Sequence, residues 1–180
     1  MYGLFGQVCL YIGLAVCAML KPAGLTTNNG ISYYGTFRET FPLYAFALLG
    51  ATYFTTRILA ELPVNERIVR TALQIYIPLV ILLAFTPYTA GAWVDYVHTG
   101  SGSALFSLQL LLSIYLVQRL RYIWWAVLLI VIECTAGILS AIYLAPTHGF
   151  LLQTEIIFQI AFGILLTMSL QRLQDAANVQ

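Results

Sequence analysis

The stretch IWWAVLLIVIECTAGILSAIYL, residues 123–144, decides the fold. It contains one charged side chain, Glu133, in the middle of an apolar run. A membrane-crossing helix needs about 20 mostly apolar residues, within a range of roughly 17 to 25. This stretch meets that length, and it offers no polar face to turn toward water. Five further runs read the same way: 2–20, 41–59, 68–85 with Pro78 near its middle, 103–120 and 150–170.

The rest of the chain cannot supply a water-facing coat. It is 61% hydrophobic and 8% charged with a mean hydropathy of +0.86, where a soluble domain carries about 25% charged residues. Six buried core helices would need polar elements around them, and six runs leave little chain for any. The expectation is an all-α integral membrane protein, with six transmembrane helices in one bundle and a single domain over 1–180. No internal repeat or low-complexity segment is evident. The first run has no positive residue ahead of it and no small-x-small site after it. It is therefore expected to stay as a span rather than be removed as a signal peptide. The net charge of +1 gives no reason to invoke nucleic acid. Cys9, Cys17 and Cys134 all lie in apolar runs, which argues for small apolar fillers rather than a disulfide framework.

Basic residues orient the spans, because cytoplasmic loops collect Lys and Arg. Arg57, Arg67, Arg70, Arg119, Arg121 and Arg172 fall on the side of the termini, and only Lys21 and Arg38 on the other. Both termini are therefore expected in the cytoplasm, with the arginines acting as headgroup-level anchors. That puts the polar stretches TTNNGISYYGTFRETFP (26–42), TPYTAGAWVDYVHTGSGS (86–103) and APTHG (145–149) outside, and with them both histidines, His98 and His148.

Glu155 enters the sixth span from that same side, about five residues in and so roughly 7 Å down at 1.5 Å per residue. A carboxylate at that depth is costly unless it is paired, hydrated or protonated, so it must face the bundle. Glu133 is deeper still; it is expected to be protonated or hydrogen-bonded across helices, to Gln109, Gln159 or Tyr143, with a proton or ion pathway as the sharper alternative. Gly137 and Ala141 are spaced for close helix contact.

In the first outer stretch, Asn29-Gly30 favours a turn with positive φ. Thr40 is placed to cap the second span and Pro42 suits its first turn. Tyr33 and Tyr34 are expected at the interface depth where amphipathic rings settle. The stretch is either an ordered connector or a lid that brings Asn29 and Ser32 to an outer site. Asp95 and His98, at i and i+3, share a helix face if the fourth span begins near Asp95. Two histidines and two carboxylates do not have a diagnostic metal spacing, neither histidine is embedded as a haem ligand, and no cofactor is specified. A Ser32, His98 and Asp95 set is a candidate hydrolytic group, although no nucleophile elbow is present.

Three stretches, NNGISYYG (28–35), DYVHTGSGSALF (95–106) and QTEIIF (153–158), together with the order of spans, resemble the Frag1/DRAM/Sfk1 group of six-span membrane proteins and their bacterial relatives. The resemblance implies a six-helix bundle with cytoplasmic termini and a role around membrane lipids, without implying a particular reaction. The leading expectation is an outward-facing site for a lipid headgroup or small polar ligand, with His98 and Glu155 at its core and Asp95, Asn29, Ser32 and His148 around it. Two other readings stand beside it: a subunit that assembles with partner membrane subunits, and an intramembrane lipid hydrolase using the same residues.

Overall fold

The computed structural model describes residues 2–120, 124–143 and 149–178, with side chains described to residue 173. Its six long helices are α1 (Tyr2–Leu20), α2 (Phe41–Glu61), α3 (Arg67–Phe85), α4 (Ala92–Leu120), α5 (Trp124–Tyr143) and α6 (Leu151–Asn178). All six are long and apolar enough to cross a membrane, and the described residues contain no strand. The protein is an all-α, multi-pass membrane bundle. Three 3-10 turns, Pro22–Thr26, Ile31–Thr36 and Tyr88–Ala90, lie in the connections.

The spans match the sequence reading except at two ends. α4 starts at Ala92 rather than residue 103, because Gly91 takes φ +138 and turns the chain directly into the helix. Its polar first turns are sustained by burying His98 and Ser101 toward the protein. α6 runs on to Asn178. Pro78 sits inside α3 without ending it.

α6 is the axis of the bundle: 56% of its span window is buried, against 22% for α5. One apolar cluster gathers Leu73, Leu116, Phe158, Phe162 and Leu165 from α3, α4 and α6. A second joins Leu10, Leu14, Cys17 and Tyr44 of α1 and α2 to Tyr34 and Leu152. Gly13 lets α1 press against α2, since a Cβ there would stand 2.6 Å from that of Ala47. Side chains such as Ile12, Phe46 and Ile138 remain exposed, as expected of a surface facing hydrocarbon.

The connection between α1 and α2 is folded into the protein. Tyr34 is fully buried instead of resting at the interface, with its ring cradled by Gly24. Tyr33 meets Tyr34 and Phe37 edge-on. Thr40 precedes α2 as expected, with Pro42 in the first turn, but its hydroxyl does not cap the helix; it donates to the Tyr34 carbonyl at 2.7 Å. That bond fastens the loop to the helix start.

At the opposite end the arginines do more than anchor. Arg70 donates to the carbonyls of Leu59 and Leu62 at 3.1 and 2.9 Å, satisfying acceptors that α2 leaves open at its C-terminus. Arg119 pairs at 3.4 Å with Glu66, which is itself buried. Arg121 lies outside the described residues.

Candidate functional site

The residues from Asn28 to Thr36 form a strap that reaches α4 and α6. Asn28 accepts from the Gly149 N–H through Oδ1. The N–H of Ile31 donates to Glu155 Oε2 at 2.7 Å, joining the strap to the first turns of α6. Ser32 Oγ lies 2.7 Å from His98 Nε2 on α4. Gly30 makes this geometry possible. Its φ of +57 and ψ of −152 fall where only glycine sits without strain, and the Glu155 carboxylate occupies the space a Cβ would take. The Asn-Gly signal for positive φ thus has a specific use.

Beneath the strap is a half-open cavity of about 420 Å³. Its polar lining includes Asn29, Ser32, Asp95, His98 and Glu155, with Ser140 and, one turn further along α6 than Glu155, Gln159; Leu48, Val80, Leu105, Phe106, Leu151 and Phe158 supply apolar wall. Gly137 and Ala141 line it from α5. A Cβ on Gly137 would meet Phe158 at an ordinary 3.7 Å, so this small pair leaves room for the cavity rather than forming a tight helix contact. No Lys or Arg lines the cavity among the described residues.

Histidine 98 is buried and held on both ring nitrogens. Opposite Ser32, its Nδ1 lies 3.4 Å from Thr86 Oγ1, and Thr86 donates its own proton to the Leu82 carbonyl at 2.5 Å. Tyr88 stands over the ring, with centroids 6.0 Å apart. Burial pushes the Tyr88 and Tyr34 phenols up from their ordinary values. Tyr44 closes the wall by donating to the Leu83 carbonyl at 3.2 Å.

The expected site residues therefore divide. Ser32, His98 and Glu155 come together through adjacent residues of one strap, and Asn29 and Asp95 share their cavity. Glu155 and His98 make no direct ion pair: each holds a neighbouring strap residue, Ile31 or Ser32. Asp95 Oδ1 accepts from Thr99 Oγ1 at 3.4 Å rather than pairing with His98. His148 lies outside the described residues. No group of three potential metal ligands comes together among the described residues. Thr86, Tyr44 and Tyr88 were not singled out by the sequence; each is an ordinary residue near a helix end, distinguished only once the chain is folded.

Glu133 finds a partner other than those expected. Ser113 donates to its Oε1 at 3.0 Å, while Gln109 and Gln159 bind each other reciprocally at 2.9 and 3.1 Å between α4 and α6. The deeper acid thus belongs to the α4–α5 contact, not to the cavity, whose wall it does not join.

Fold and site define a multi-pass helical membrane protein with a strapped, amphipathic cavity at one end. Comparison with protein-family models, with characterised proteins and with solved structures gives no match.

Proposed function

We propose that the protein recognises the polar head of a membrane lipid, or a small polar ligand of similar chemistry, in the cavity under the 28–36 strap. The observation that carries this reading is the cavity's mixed wall, in which hydrogen-bonding groups of the strap, α4 and α6 stand beside extensive hydrocarbon at one end of a membrane bundle. A wall of both kinds suits an amphiphile, with a polar head and an apolar chain. The volume falls within the range of about 300–1,000 Å³ typical of small-molecule sites. With Asp95 and Glu155 in the wall and no Lys or Arg beside them among the described residues, it suits hydroxyl, ester or amine groups better than a bare phosphate.

The basic-residue asymmetry supports placing this cavity on the outer face and the termini in the cytoplasm. The resemblance to the Frag1/DRAM/Sfk1 group adds support, because Asn29, Ser32, Asp95, His98, Glu155 and Phe158, drawn from its three stretches, all line the cavity. Native mass spectrometry of the protein extracted in a mild maltoside detergent tests the reading. A retained lipid mass that is reduced in the Glu155→Ala protein is expected. A bare chain, or a fixed-ratio complex with another membrane protein and no lipid, would refute it in favour of an assembly subunit.

A further inference from the structure

We propose that Ser32 is a nucleophile and His98 its general base, and that the protein cleaves an ester bond of the amphiphile held in the cavity. This rests on the binding reading above but goes beyond it, since a site can hold a lipid without reacting with it.

The hydrogen-bond chain fixes the roles. Thr86 gives its proton to the Leu82 carbonyl, so toward His98 it presents only an oxygen lone pair. His98 Nδ1 must then carry the ring proton. Nε2 is left bare, and the 2.7 Å contact with Ser32 becomes an Oγ–H donated to the nitrogen. This is the arrangement that activates a serine: a nucleophile and a base in hydrogen-bond contact, the base oriented from behind by a third group. Here that group is a neutral threonine, so the base lacks the carboxylate that would stabilise an imidazolium. The pair is therefore a slower catalyst than a Ser-His-Asp set.

The scaffold holds the serine in place. Ser32 follows Ile31, whose N–H is bound by Glu155, and Gly30, whose conformation no other residue matches without strain. Ser32 belongs to a short 3-10 turn closed by the Tyr33 N–H to Gly30 carbonyl bond of 3.2 Å. Glu155 is thus a positioning residue. Asn29 lies beside the serine in the cavity wall, is exposed, and makes no hydrogen bond to the protein among the described residues. Its side-chain amide is available to donate to the oxygen that becomes negative during acyl transfer.

The reaction balances without a cofactor. Ser32 Oγ attacks the ester carbonyl carbon while its proton passes to His98 Nε2. Collapse breaks the bond from carbonyl carbon to alkoxy oxygen, and the leaving alcohol takes that proton, leaving an acyl group on Ser32. A water entering at the half-open rim gives a proton to His98 Nε2 and attacks the acyl carbon. The acid departs and Ser32 recovers its proton from His98. The net change is ester plus water to acid plus alcohol.

The test uses the full chain in maltoside micelles. A long-chain alkyl fluorophosphonate should add to Ser32, with loss of fluoride, as read by intact mass and peptide mapping. The same protein should hydrolyse p-nitrophenyl octanoate. Ser32→Ala should abolish labelling. His98→Gln keeps a hydrogen-bonding partner for Ser32 but no base, so turnover should fall about 100-fold or more with the melting temperature close to wild type. Thr86→Val should lower kcat more than KM and displace the pH–rate profile. The proposal is overturned if wild-type protein that retains lipid is neither labelled nor active on the ester, which leaves the binding reading intact. It is also overturned if labelling or hydrolysis persists unchanged in Ser32→Ala. Absence of both lipid and reaction would refute the two readings together.

Discussion

Replacing Gly30 by alanine is a one-carbon change whose effect can be worked out from the strap. A Cβ there would stand 2.6 Å from Glu155 Cδ, closer than any real contact, and the carboxylate must move away. In moving it gives up the 2.7 Å bond from Ile31 N–H. A hydrogen bond to a charged group contributes about 1.5–3 kcal/mol, and holding a non-glycine residue at φ +57 and ψ −152 adds about 1–3 kcal/mol. The sum is about 2.5–6 kcal/mol if the strap keeps its place, and less if it lifts from the cavity instead. For a chain of this size 1 kcal/mol moves the melting temperature by roughly 2–4 °C, so a loss of order 10 °C is expected in a detergent melt. The test lies in the cycle with Glu155→Ala. Once the carboxylate is gone, Gly30→Ala retains only its backbone strain, so the double mutant should be more stable than the two single losses added together, by about 1.5–3 kcal/mol. Strict additivity, or a silent Gly30→Ala, would show that the carboxylate does not occupy that space and that the strap is not held by α6.

Three further outcomes follow from the same contacts. Gln109→Leu leaves the Gln159 amide unpaired between α4 and α6 and should destabilise by about 0.6–1.7 kcal/mol, while the Gln109→Leu/Gln159→Leu double should recover much of it; a double melting below both singles would contradict the reciprocal pair. Glu133→Gln keeps an acceptor for Ser113 and should leave both the melting temperature and function near wild type; lost function at unchanged stability would instead indicate proton handling. A cysteine replacing Thr99 should react with a membrane-impermeant maleimide added outside intact cells and one replacing Asn65 should not; the reverse pattern would put the cavity on the cytoplasmic side.

The six helices were legible because lipid demands long apolar runs with their backbone bonds satisfied internally. The start of α4 was not, since Asp95, His98 and Thr99 read as loop by hydropathy and become helical only where the protein takes up part of that polar face. Ser32, His98 and Glu155 were legible as isolated polar residues on one side of the membrane. Ser32 and His98, named together in the sequence, do meet; the link of Glu155 to them was not legible, because it runs through the backbone N–H of the neighbouring strap residue Ile31, a relation that depends on the fold of a connection rather than on spacing along a helix. Tyr34 misled for a related reason: an aromatic in a polar loop resembles an interface anchor until the glycine at 24 leaves space to bury it. The partner of Glu133 was missed because Gln109 and Gln159 are equally polar, and only helix rotation shows that they face each other.

The most direct test of the proposal that the cavity binds a lipid is photocrosslinking, in nanodiscs, with a monoacylglycerol carrying a diazirine near its ester, followed by peptide mapping. Adducts are expected on cavity residues such as Leu83, Phe106 and Leu151, competed by unlabelled monoacylglycerol and diminished by Gly30→Ala. Adducts confined to lipid-facing residues such as Phe46 and Ile138, with no competition, would contradict it.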